Sequence, residues 1–167
     1  QMCAITDHDV FNYDIYSALK KYEFDEKCSI VKVFPGIEFS VEFSSEGGPT
    51  VLHVIAIFND EDDDRIRKIS DSITDSDGNI AYDKNQAFSE EKMISILKDI
   101  ELDTVLIVHQ KSTLSTAHPY KNDAKTVGEG RFREFVYTDY FEAFEFKNRR
   151  NEVFNKSFLK ANNLEDD

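Results

Sequence analysis

Short apolar runs that stop at a histidine or an acid limit most strongly what this chain can fold into. Residues 2–6 run into Asp7-His8-Asp9, residues 51–58 are interrupted by His53, and residues 104–108 end on His109. Residues 141–146 carry Glu145 near their end, and Glu38 lies at the start of the alternating stretch 37–43. Short runs rich in β-branched and aromatic side chains read as strands. In 37–43 the period of two puts Phe39, Val41 and Phe43 on one face, with Ser40 and Glu42 on the other. Polar residues gathered at strand ends share one cavity in a parallel α/β barrel, so their chemistry and the fold are one question.

The segments between these runs carry helical spacing. Phe11, Ile15, Ala18, Leu19 and Tyr22 form a stripe for which Asp9 is the expected N-cap. Residues 62–73 place Ile66, Ile69 and Ile73 on one face, and Ser89 is expected to cap a helix bearing Met93, Ile94, Leu97 and Ile100. A second strand is expected over 30–34, ended by a Pro35-Gly36 turn, and 37–43 should form a hairpin with 51–58 across Gly47-Gly48-Pro49. Residues 104–108 read as the most buried strand, 74–88 as a loop, and 151–161 as the last helix. Alternating strands and helices predict a single α/β layered or barrel domain over 1–167.

Charge and cysteine usage narrow the function classes. With 33 acids against 20 bases the net charge is −13, which argues against a broad nucleic-acid surface built on clustered Lys and Arg. It leaves room for a phosphate-cleaving site whose positive charge comes from bound metal. The run at 60–64 (DEDDD) is expected to be solvated surface. Cys3 and Cys28 have no CxxC spacing and are expected to be reduced. No apolar run approaches the ~20 residues of a membrane span, and a cytoplasmic protein is expected. A GxSxG elbow, a P-loop and a GxGxxG motif are all missing.

Four histidines are present: His8, His53, His109 and His118. Each alone reads as an ordinary hydrogen-bonded residue. Three of them beside apolar strands, together with Glu38, form the donor set that zinc, manganese and iron prefer.

These same segments resemble the PHP (polymerase and histidinol phosphatase) family of metal-dependent phosphoesterases. Residues 5–9 (ITDHD) are similar to its TDH motif, 35–40 (PGIEFS) to its PGIE motif, and 52–56 (LHVIA) to the strand that follows. Residues 105–109 resemble the later strand that delivers a histidine, and 144–148 the strand after it, so the likeness covers residues 3–160. The Phe-rich segments and the HQK at 109–111 are most similar to members fused to ATPases resembling chromosome-maintenance proteins.

The resemblance implies a distorted (β/α)7-type barrel, incomplete at both ends, with two or three divalent ions (Mn, Zn or Fe). It implies metal ligation by His8, Glu38, His53 and His109, and catalytic roles for Glu38, bridging two ions, and Asp7, orienting a ligand. His118, in a His-Pro pair within a polar stretch, is the other candidate for the later ligand. Lys111, Arg131 and Arg133 are candidate phosphate clamps. The implied substrate is a phosphorylated small molecule or a nucleic-acid end. The family's opening HxH and closing Asp-x-His do not occur here, so a fragment with an incomplete metal shell and little or no activity of its own is expected. The alternative is a non-catalytic regulatory or interaction module of a larger ATPase-linked protein.

Overall fold

Strand β2 (Lys32–Phe43) is the axis of the fold. The computed structural model describes residues 1–43, 49–108 and 143–144. Around β2 stand β1 (Met2–His8), α1 (Tyr13–Lys20), β3 (Thr50–Phe58), α2 (Asp63–Ile73), β4 (Phe88–Ser89), α3 (Glu90–Ile100), β5 (Thr104–Val108) and β6 (Ala143–Phe144). β1 pairs parallel with β2, and β3 pairs antiparallel with both β2 and β5. The order is β1-β2-β3-β5-β6, with β4 added beside β2.

This is a mixed α/β fold on an open mixed sheet. Of the expected α/β barrel the α/β character is met, while β3 runs antiparallel to both of its neighbours. Among the described residues β1 and β6 are the outer strands of the series, and no pairing between them closes it.

The hairpin of β2 and β3 is present, but the expected turn at Pro35-Gly36 is not; β2 runs straight through it. The β2–β3 ladder reaches only Gly36↔Ile57, so Pro35 lies just outside it and its missing N–H costs no ladder bond. Gly36 is needed for space. A Cβ there would lie 2.7 Å from the Ala56 carbonyl and 3.1 Å from that of Ile5, in the strands on either side.

One face of the sheet holds the core. Phe39, Val41 and Phe43 of β2 and Leu52, Val54, Ala56 and Phe58 of β3 are buried, along with Ile66, Ile69 and Ile73 of α2 and Met93, Ile96 and Ile100 of α3. The expected alternation along 37–43 is therefore the division between core and opposite face. β5 is less buried than its composition predicts: Leu106 is buried, while Val105, facing the other way, is exposed. A continuous apolar run reads as a strand covered on both faces, yet the second face here carries exposed Met2 and Val105.

The helix caps are local. Asn12, and not Asp9, caps α1 by accepting from the Ile15 N–H at 3.1 Å. Asp62 and Ser89 cap α2 and α3 in the same way. The acidic run 60–64 is only partly solvent-facing, because Asp60 is drawn inward between Lys20 and Lys32, at 2.5 and 2.6 Å. Cys3 and Cys28 are both free thiols. No described helix is long and apolar enough to cross a membrane.

Candidate metal centre

Strand register alone assembles the centre. β1 and β2 run parallel with His8 opposite Glu38, which puts the two on one face. β2 and β3 run antiparallel with Ser40 opposite His53, and Ser40 shares the face of Glu38. The three side chains His8, Glu38 and His53 therefore meet on the sheet face opposite the helices.

Their geometry converges on one oxygen. Glu38 Oε1 lies 3.0 Å from His53 Nδ1 and 3.7 Å from His8 Nε2. The imidazole rings stand edge to face, with centroids 4.2 Å apart and planes at 86°. One donor atom from each residue falls within 4.8 Å of the others. Donors at about 2.0–2.2 Å from a tetrahedral ion lie about 3.3–3.6 Å apart, so modest adjustment brings all three onto one cation. Two imidazoles and a carboxylate suit zinc, manganese or iron, and three protein donors leave a position open for water. The His53 and Glu38 side chains are 13% and 19% exposed, whereas His8 is 51% exposed, so solvent reaches the group from the β1 side.

Asp9 supports this group from below. It is buried and holds a left-handed backbone at φ 52°, a conformation that Asp adopts more readily than most residues. Its Oδ1 accepts from the Ser40 N–H at 2.6 Å, and its Oδ2 accepts from the Tyr82 hydroxyl at 2.8 Å. Oδ2 also lies 3.6 Å from His8 Nδ1, and Ser40 Oγ lies 3.4 Å from the same nitrogen. Burial, with the Asp9 carboxylate adding to it, pushes the Tyr82 hydroxyl up to about 12.

The expected ligands His8, Glu38 and His53 are thus brought together. Asp7 is exposed, and alternation along β1 sets it on the face shared with Ile37, away from His8. His109, His118, Lys111, Arg131, Arg133, Glu145 and Asn148 lie outside the described residues, as does the helix expected over 151–161. Asp9 and Tyr82 escaped sequence reasoning. An acid just after a helix-preceding polar turn reads as a cap, and a lone tyrosine in a polar loop carries no signal at all.

No protein-family model matches this chain, and no curated protein is similar to it at a significant level.

A concavity of about 910 Å³ opens at the other end of the sheet. Met2, Phe34, Ile57 and Val105 line it together with Lys32 and Asp60, and none of the three convergent donors is among its lining residues. Its walls are mainly apolar.

Proposed function

We propose that this chain carries the metal-binding core of a metal-dependent phosphoesterase of PHP type. The observation that carries the reading is the convergence of His53 Nδ1 and His8 Nε2 on one oxygen of Glu38, at 3.0 and 3.7 Å. The TDH-like and PGIE-like segments deliver two of those three residues, which supports a PHP-type barrel as the finer form of the fold. In this reading His109, or His118 in its place, adds a further imidazole from the sequence that follows β5.

A divalent ion held there would supply an acidified water and positive charge opposite the phosphate oxygens. Glu38 contributes the charged donor shared by both imidazoles, and in a multinuclear site it is the residue able to bridge. His53, the less exposed ring, would hold the ion from β3. His8 closes the set from β1, where exposure leaves a path for substrate. The substrate class is a phosphorylated small molecule or a nucleic-acid end, and a fused ATPase is the partner the resemblance suggests.

The test is metal content by elemental mass spectrometry after equilibration with Mn²⁺ or Zn²⁺ and dialysis, for wild type, His53→Ala and Glu38→Gln. Retention in wild type that drops in both variants is expected, together with metal-dependent hydrolysis of bis(p-nitrophenyl) phosphate once a complete shell is present. Equal content in all three proteins, or none in wild type, would sink the reading. Retention without hydrolysis in any longer form of the chain would favour a non-catalytic module.

A further inference from the structure

β2 changes neighbours along one edge. β1 pairs with it as far as His8↔Glu38, and β4 joins only at Val41↔Phe88. Between them the Ser40 N–H has no strand partner among the described residues, and it donates to Asp9 Oδ1 instead. Asp9 reaches the gap as the direct continuation of β1, its own N–H donating to the Glu38 carbonyl at 3.0 Å.

Filling such a gap needs only a neutral acceptor, which an Asn side chain provides. A buried carboxylate is a costlier choice, because its charge must be matched by several partners. Two of those partners are the Ser40 N–H and the Tyr82 hydroxyl, which fix both oxygens. The third neighbour is His8 Nδ1, 3.6 Å from Oδ2. That separation is longer than an ordinary hydrogen bond, and Ser40 Oγ lies on the same nitrogen at 3.4 Å. A carboxylate or carbonyl behind a metal-bound imidazole fixes which nitrogen is free to ligate.

We propose that Asp9, locked by Ser40 and Tyr82, is a positioning residue that keeps the proton of His8 on Nδ1 and presents Nε2 toward Glu38. Its metal consequence rests on the reading proposed above; its effect on His8 does not. Asp9 touches neither ion nor substrate. It acts through the ring.

Two measurements on the purified chain test it. Calorimetric titration with Mn²⁺ should show binding weakened about 10–100-fold in Asp9→Asn. Tyr82→Phe, which removes one of the two locks, should weaken it in the same direction by less. Long-range ¹H–¹⁵N spectra of the metal-free chain, at about pH 8 and above the ordinary imidazole range of about 6.5, report the tautomer directly. Wild type should show His8 Nδ1 protonated, and Asp9→Asn should lose that preference while Asn still accepts from Ser40. An unchanged tautomer in both variants, or Mn²⁺ affinity equal to wild type in both, overturns the proposal and leaves Asp9 as a backbone partner only. If Asp9→Asn does not fold, Tyr82→Phe carries the same readouts. If wild type takes up no Mn²⁺, the metal reading fails by itself, and the His8 tautomer still decides the role of Asp9.

Discussion

His8 and His53 meet edge to face, 4.2 Å between ring centroids, although their strands do not pair with each other. β2 lies between them, parallel to one and antiparallel to the other, and contributes Glu38 to the space where the rings converge. Three donors from three adjacent strands form a rigid cradle, since each is fixed by backbone pairing and not by a loop.

Metal should therefore stabilise the folded chain. A ligand that binds only the native state adds about 2.7 kcal/mol at one hundred times its Kd. For a domain of this size that is a rise in Tm of about 5–10 °C. Wild type heated with excess Mn²⁺ or Zn²⁺ should show this rise, and Glu38→Gln should show little of it. Scanning calorimetry with and without chelator reads the difference. A metal-induced shift of equal size in the variant would place the binding elsewhere.

Neighbouring positions on β2 should behave in opposite ways. Phe39 is fully buried and packs edge-on against Phe88, with centroids 5.7 Å apart, whereas Glu38 looks out of the opposite face. Phe39→Ala should cost about 3–5 kcal/mol by urea denaturation, from lost burial and the cavity left behind. Glu38→Gln should cost far less in the metal-free chain while abolishing the metal shift. Similar losses at both positions would mean that the strand is not two-faced in the way described.

That alternation was also the most legible part of the sequence. The period of two over 37–43, the isoleucine stripe of α2 and the Ser89 cap all act through near neighbours, and each is found where those patterns place it. The centre was legible for the same reason, because His8, Glu38 and His53 each interrupt or adjoin an apolar strand. What could not be read depends on distant pairing. Pro35-Gly36 looks like a turn until β1 and β3 are seen to need a residue without a side chain between them. Asp9 looks like a helix cap until Ser40, far along the chain, is found to need an acceptor. Asp60 belongs to a solvated acidic run by composition, and only the approach of Lys20 and Lys32 takes it inward.

Gly36 should tolerate nothing larger. The Cβ of Gly36→Ala would meet the Ala56 carbonyl at 2.7 Å and Thr6 Cγ2 at 3.0 Å, and the closer of these is backbone that cannot rotate away. Overpacking of this kind costs about 1–3 kcal/mol. A fall in the urea midpoint with unchanged slope is the expected result. Because relief requires β1 or β3 to move from β2, Mn²⁺ affinity should fall as well. An alanine variant as stable as wild type would show that the strands are not in such close approach.

The ionic cluster around Asp60 should make the fold sensitive to acid. Its carboxylate is only 6% exposed and takes both Lys20 Nζ and Lys32 Nζ, while Lys20 also reaches Glu23 Oε1 at 2.9 Å. Burial alone would raise the Asp60 carboxyl, but the hydrogen bonds from the two ammonium groups outweigh it and hold it below its ordinary range. Burial likewise opposes the Lys20 charge and is overcome by Asp60 and Glu23, so that the ammonium is held above its own range. A carboxyl depressed in the folded state adds stability above its unfolded value of about 3.9, and that stability is lost as pH falls through the lower folded value. Breaking a fully buried pair costs about 3–5 kcal/mol, but both lysine side chains are about one third exposed, which reduces the expected loss for Asp60→Ala to about 1–3 kcal/mol. Urea denaturation of wild type and Asp60→Ala should therefore differ most near neutrality and converge below about pH 3. A gap that persists undiminished into acid would show that Asp60 stabilises by packing, and not through its charge.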